Sequence, residues 1–193
     1  MSWLWQAIAL FAVTNIDDLI VLALFFARAR AAGAGSRPVV LGQYLGFIAI
    51  LILCLAGAVG AGQLPDRVIG YLGLVPILLG GWALRSGLRR RDDAALRPAV
   101  PVGAWWAVAG VTLSNSGDNI GVYVPAFAGR SAATLVGFAA VFLVLVGLWC
   151  LAGWLLTGHP AVIAAAHRWG AVLTPVALIA IGCVILVSHG TFG

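Results

Sequence analysis

Thr14-Asn15-Ile16-Asp17-Asp18 interrupts an apolar run near the start of the chain, and Ser114-Asn115-Ser116-Gly117-Asp118-Asn119 interrupts another about one hundred positions later. These two polar knots hold three of the six acidic residues in a chain of 193. Everything around them reads as membrane span. An Asp at the bilayer centre costs about 2.5–3.5 kcal/mol on insertion scales, so intramembrane carboxylates mark ion or proton pathways. One knot in each half of the chain is the pattern of a transporter whose site lies between two repeats.

The composition excludes an ordinary soluble domain. Hydrophobic residues make up 63% and charged residues 9%, with a mean hydropathy of +1.08, whereas roughly a quarter of a soluble domain is charged. The formal charge of +5 comes entirely from arginine, since the chain has no Lys and no Glu. Those arginines lie in short loops beside apolar runs, which points to orientation in a bilayer and away from nucleic acid. Trp3, Trp5, Trp105, Trp106 and Trp169, near predicted span ends, fit an interfacial belt. The first residues lack the positive region of a cleavable signal peptide, so none is expected. Cys54, Cys150 and Cys183 are widely spaced in apolar segments and form no CxxC. Disulfide scaffolds, zinc ribbons and dithiol redox motifs therefore have no support.

Six stretches are long enough to cross a hydrocarbon core of roughly 30 Å. They lie at 3–27, 38–61, 68–88, 103–128, 132–157 and 169–189. The segment from Arg89 to Pro101 resembles a linker and divides a single transmembrane domain, 1–193, into repeat one at 1–88, a cytoplasmic linker at 89–102 and repeat two at 103–193. Arg28, Arg30, Arg37, Arg85, Arg89, Arg90, Arg91, Arg97 and Arg168 fall on one side, leaving Arg67 and Arg130 on the other. The positive-inside rule then places both termini outside the cytoplasm. Three spans per half make the halves insert in opposite senses. Asn15 matches Asn115 at an offset of 100, and Asp17-Asp18 matches Asp118-Asn119 at 101. Cys54-Leu55-Ala56-Gly57 recurs as Cys150-Leu151-Ala152-Gly153, and Pro76 corresponds to Pro175. The fold expected is an all-α integral membrane protein of six helices in two inverted three-helix repeats.

Helical spacing sets the chemistry of the knots. Thr14 with Asp18, Ser114 with Asp118, and Asn115 with Asn119 are i, i+4 pairs, while Asn15 and Asp18 are i, i+3. Each knot can thus aim a carboxylate, an amide and a hydroxyl toward one point. Asp17 and Asp18 diverge by about 100° on a regular helix, so both face one ligand only if the helix breaks. Breakage is expected at Asn115-Ser116-Gly117-Asp118-Asn119, a string of poor helix formers with Gly121 and Pro125 behind it. The first knot has no adjacent Gly or Pro and should unwind less. Carboxylates without a partner Arg or Lys at that depth require a cation, and two close ones cannot both ionise cheaply without counter-charge. A divalent metal meets that need best, and oxygen donors suit hard ions such as Mn²⁺, Ca²⁺ or Mg²⁺. Asp17, Asp18, Asp118, Asn119, Asn15 and Asn115 are the candidate metal residues. Thr14, Ser114, Tyr123 and Gln43 are second-tier candidates for the path, with Tyr44 beside them.

Plainer roles compete at several positions. Thr14, Ser114 and Ser116 could simply bond a helix carbonyl. The cysteines read as packing residues, and His159, His167 and His189 as solvated loop groups. Pro76 and Pro175 read as kinks. Arg89-Arg90-Arg91 is a topology determinant, and the Gly42-xxx-Gly46 face would permit a homodimer.

Thr14-Asn15-Ile16-Asp17-Asp18-Leu19, followed by Val21-Leu22 and Phe25-Phe26, together with Gly117-Asp118-Asn119-Ile120-Gly121-Val122-Tyr123-Val124-Pro125, resembles the CadD-type cadmium-resistance transporters of the lysine-exporter superfamily. The resemblance extends over essentially the whole chain. It implies a plasma-membrane efflux permease that lowers cytoplasmic Cd²⁺, with Asn15, Asp17, Asp18, Asp118 and Asn119 forming or supporting the metal path.

The expectation is a bacterial inner-membrane exporter of divalent cations, not an enzyme and without a cofactor. Its partners are the transported metal and the bilayer. No nucleotide-binding motif occurs, so export must draw on an ion gradient or a partner; proton antiport with alternating access is the economical mechanism. An exporter of Mn²⁺, Zn²⁺ or cationic amino acids is the alternative. A membrane redox module or an assembly subunit accounts less well for midplane aspartates.

Overall fold

The computed structural model describes residues 2–87 and 103–188. The linker at 89–102, with Arg89, Arg90, Arg91 and Arg97, and His189 lie outside the described residues. Within them the chain is helical, without strands: α1 (Ser2–Thr14), α2 (Ile16–Ala31), α3 (Arg37–Ala61), α4 (Asp66–Tyr71), α5 (Leu74–Gly87), α6 (Trp105–Ser114), α7 (Gly117–Phe127), α8 (Ala132–Leu156) and α9 (Pro160–Ser188). Local chemistry places several ends. Gly33, at φ +66°, turns the chain after α2, and Gly129, at φ +71°, makes the tight reversal before α8; an L side chain disfavours both conformations. Ser131 caps α8 by accepting a hydrogen bond from the Thr134 amide at 3.3 Å.

Among the described residues, three helices are long and apolar enough to cross a bilayer: Arg37–Ala61, Arg67–Arg85 and Ala132–Leu156. A fourth crossing is available if Trp3–Thr14 and Ile16–Ala31, which meet at 58°, act as one span. The expected fourth span differs from a single long helix for a physical reason, whereas the sixth lies within one helix of 29 residues. The polar knot divides 105–127 into helices of 10 and 11 residues, each about 15 Å long and too short to cross a core of about 30 Å alone. The last helix begins at Pro160, nine residues before the expected start, so His167 and Arg168 belong to a helix and not to a loop.

The helices pair across the two halves. α3 packs along α6 and α7, α8 along α2 and α1, and α5 along α9. Small residues permit the closest approaches. A Cβ on Gly42 would strike the Trp105 carbonyl oxygen and Val108, and one on Gly46 would lie 2.9 Å from Thr112 Cβ. The Gly42-xxx-Gly46 face is therefore filled by α6 of the same chain and is not offered to a second copy. A Cβ on Gly73 or on Gly182 would meet the other's carbonyl oxygen, which brings the α4–α5 turn against α9.

Pro76 lies in the first turn of α5, where its missing N–H removes no helical hydrogen bond. The interruption in that region falls just before it, at Leu72 and Gly73. Pro175 sits inside α9, which continues through it. Beside the knots, an aromatic core joins four segments. Phe11 meets Phe47 and Phe142 at centroid distances of 5.4 and 5.5 Å, and Tyr123 meets Phe142 at 4.9 Å. Large apolar side chains such as Ile52, Val59, Leu78, Val136, Val144 and Val184 point outward, as a lipid-facing surface requires.

Candidate functional site

Both knots are breaks. Asn15 alone separates α1 from α2, whereas Asn115 and Ser116 separate α6 from α7. The second break is one residue longer than the first, in step with the change of offset between matching residues from 100 to 101. The first knot bends sharply even without Gly or Pro, because Asn and the paired aspartates compete poorly for helix. Breaking there leaves Asp17 and Asp18 in the first turn of α2, and Asp118 takes the same position in α7. A helix amino end favours negative charge, which suits all three carboxylates.

The break answers which aspartate turns inward: both do. The Asn115 side-chain amide donates to Asp17 Oδ2 at 2.7 Å and to Asp18 Oδ1 at 3.0 Å. Asp118 lies within electrostatic reach of both, and its Oδ1 accepts the Asn119 backbone amide at 2.8 Å. Asp18 is buried and Asp17 half-buried. Residues some one hundred positions apart in sequence therefore form one polar centre.

Asn15 and Tyr123 build a second, adjoining centre. The Asn15 amide donates to the Phe11 carbonyl at 2.8 Å, to Thr14 Oγ1 at 3.0 Å and to the Tyr123 hydroxyl at 2.9 Å. Thr14 Oγ1 and the Tyr123 hydroxyl are 2.6 Å apart. Tyr123 and Thr14 are both 0% exposed, so this centre joins α1 to α7 in the interior. Trp149 on α8 adds a donor at 2.7 Å to the Asn15 carbonyl. The side-chain oxygens of Asn15 and Asn119 are buried without a hydrogen-bond partner among the described residues. Buried acceptors of this kind require explanation, and a bound cation is one that fits.

The remaining candidates divide. Gln43 is buried and accepts from Thr112 Oγ1 at 2.6 Å, which ties α3 to α6. Ser114 is exposed and returns its hydroxyl to the Val111 carbonyl at 2.9 Å; Ser116 does the same to Leu113 at 2.6 Å. These are local back-bonds to the preceding turn. Tyr44 donates to the Leu143 carbonyl at 3.1 Å. Cys54 and Cys150 are buried in the apolar core and Cys183 is exposed. Among the described residues, no three His, Cys, Asp or Glu side chains converge into a metal cage. Any cation held here must draw on amide, carbonyl or water oxygens besides the carboxylates.

Sequence reasoning missed Trp149, Thr112 and Thr174, whose hydroxyl is buried without a hydrogen-bond partner among the described residues. A half-buried Trp within an apolar span must place its N–H somewhere, which is the one signal that would have drawn attention to Trp149.

An all-helical chain with apolar spans, broken where the amide of one helix break meets the carboxylates of another, has the construction of a membrane transporter. The chain belongs to the cadmium resistance transporter family, whose model matches residues 11–193. It is a transporter and not an enzyme. Comparison with curated proteins and with solved structures returns no match.

Proposed function

We propose that this protein exports divalent metal ions, Cd²⁺ foremost, from the cytoplasm across the bacterial plasma membrane. The observation that carries this reading is the meeting of two helix breaks at Asp17, Asp18 and Asn115, with Asp118 in electrostatic reach. Carboxylates gathered in an apolar bundle need a cation, and a divalent ion supplies the most counter-charge in the least space. Asn15 and Asn119, whose side-chain oxygens are buried without a hydrogen-bond partner among the described residues, would complete or support the coordination shell with neutral oxygen.

In this reading the chain spans the membrane six times, with α1 and α2 as the first span, α6 and α7 as the fourth, and both termini outside the cytoplasm. Reciprocal packing supports two inverted halves: the second span of each half lies along the broken first span of the other, and the third spans pair. Alternating access would rock one half against the other around the carboxylates. Protons would occupy the same carboxylates on the return step, giving antiport. Metal transport that persists unchanged in fully uncoupled, potential-clamped vesicles would rule out proton coupling.

The direct test is metal content by mass spectrometry in a metal-sensitive bacterium challenged with Cd²⁺, Zn²⁺ and Mn²⁺. Cells carrying the protein should hold less of one metal than empty-vector cells, and Asp118→Asn at matched membrane abundance should abolish the difference. No fall for any metal, with expression established, would transfer the site to an organic cation such as a cationic amino acid.

A further inference from the structure

We propose that Asn115 stands in for the transported cation: its amide holds Asp17 and Asp18 together in the cation-free protein and yields that place when a divalent ion arrives. The inference rests on the metal-export reading above and assigns a step of the cycle to one side chain.

The geometry separates Asn115 from every other polar group of the knots. A side-chain amide has two N–H donors, and here each reaches a different carboxylate, at 2.7 and 3.0 Å. Both bonds run from the α6–α7 break to the first turn of α2. The amide therefore ties the two broken spans to each other at the depth where a metal would tie them. It carries no net charge, so it bridges the carboxylates without cancelling their repulsion. A divalent cation does both and displaces it.

The repeat-equivalent Asn15 cannot play this part. Its amide is committed to the Phe11 carbonyl, Thr14 and Tyr123, all buried. Asn115 is half-buried and lies outside either helix, next to Ser116, which also belongs to neither. Its side chain can leave the carboxylates without breaking a helix.

The consequence is kinetic. The cation-free return step depends on the Asn115 bridge, whereas the loaded step depends on the metal. Net export needs both steps; exchange of labelled for unlabelled metal across the membrane needs only the loaded one. Full-length protein in vesicles loaded with radioactive Cd²⁺ separates them, with efflux followed into metal-free buffer or into buffer containing unlabelled Cd²⁺. Replacing Asn115 by Leu, close in shape but without donors, should lower net efflux about tenfold and leave exchange within about twofold of wild type, the loss of hydrogen bonds to charged partners setting the scale. Equal loss of both fluxes would make Asn115 an ordinary ligand, and no loss of either would make it a bystander; each result overturns the proposal. Should Asn115→Leu fail to reach the membrane, Asn115→Ser decides. Its hydroxyl restores one donor, so net efflux should fall by less than for a donor-free side chain while exchange is kept. Parallel loss in Asn115→Ser overturns the bridge. Wild-type vesicles that show neither flux would refute metal transport itself, a failure distinct from any in which wild type transports and only the variant comparison fails.

Discussion

The two knots look like copies and behave as opposites. In the first, Thr14 and Asn15 turn inward and are fixed by Tyr123, while Trp149 donates to the Asn15 carbonyl. In the second, Ser114 and Ser116 bond only their own preceding turns, and Asn115 reaches across to the aspartates of the first. The first break is a framework; the second lends its amide to that framework's carboxylates. Matching residues of the two knots thus need not share a role.

The comparison predicts a hierarchy. The largest effect belongs to Asp118→Asn, which removes a carboxyl group from the shared centre and should lower metal efflux about a hundredfold or more, beyond the 10–100-fold typical of groups one shell out from a metal. If efflux survives at near wild-type rates, the carboxylates of the first break act without the second knot, and their electrostatic coupling to Asp118 is incidental.

Next comes Tyr123→Phe. The ring stays in the aromatic core, but Thr14 and the Asn15 amide lose their shared partner in the interior. Stability should fall by about 1 kcal/mol, since interhelical hydrogen bonds in membranes are individually modest and both groups keep a backbone acceptor, Thr14 the Leu10 carbonyl at 2.9 Å and Asn15 the Phe11 carbonyl at 2.8 Å. Thermal unfolding in detergent gives the measure. The Cd²⁺ exchange rate at a temperature where the variant is folded should stay near that of wild type. A collapse of exchange without loss of stability would place Tyr123 on the metal path and dissolve the line between framework and site.

How much of this was legible beforehand depends on what each residue touches. Apolar length gave the all-helical membrane architecture, and Asp17, Asp18 and Asp118 stood out because charge inside a span is rare. The break at Asn115 and Ser116 was readable from the run of poor helix formers. The bend at Asn15 was less so: Asn and the paired aspartates weaken the helix without a Gly or Pro to break it, and the contacts that hold the bend come from Tyr123 and Trp149, far away in sequence. The role of Gly42 and Gly46 was ambiguous for the same reason. A small-residue face declares close packing but not the partner, and α6 proved to fill it. Spacing could place Gln43 near the path but could not tell that its carbonyl was already taken by Thr112.

The smallest effect tests the comparison most sharply, because it sets the matching hydroxyls of the two knots against each other. Ser114→Ala removes an exposed group bonded to its own helix, and surface changes of that kind stay within about 0.5 kcal/mol. Thr14→Ala removes a buried hydroxyl held 2.6 Å from Tyr123 and should destabilise by about 1 kcal/mol. Unfolding temperature and Cd²⁺ efflux measured on the pair should therefore separate: Ser114→Ala at wild-type values in both, Thr14→Ala lower in stability. Matching losses would mean that the hydroxyls act alike in another state of the cycle, with Ser114 turning inward when Thr14 turns out. The two breaks would then exchange roles as the transporter alternates, and the difference between them would belong to one conformation and not to the sequence.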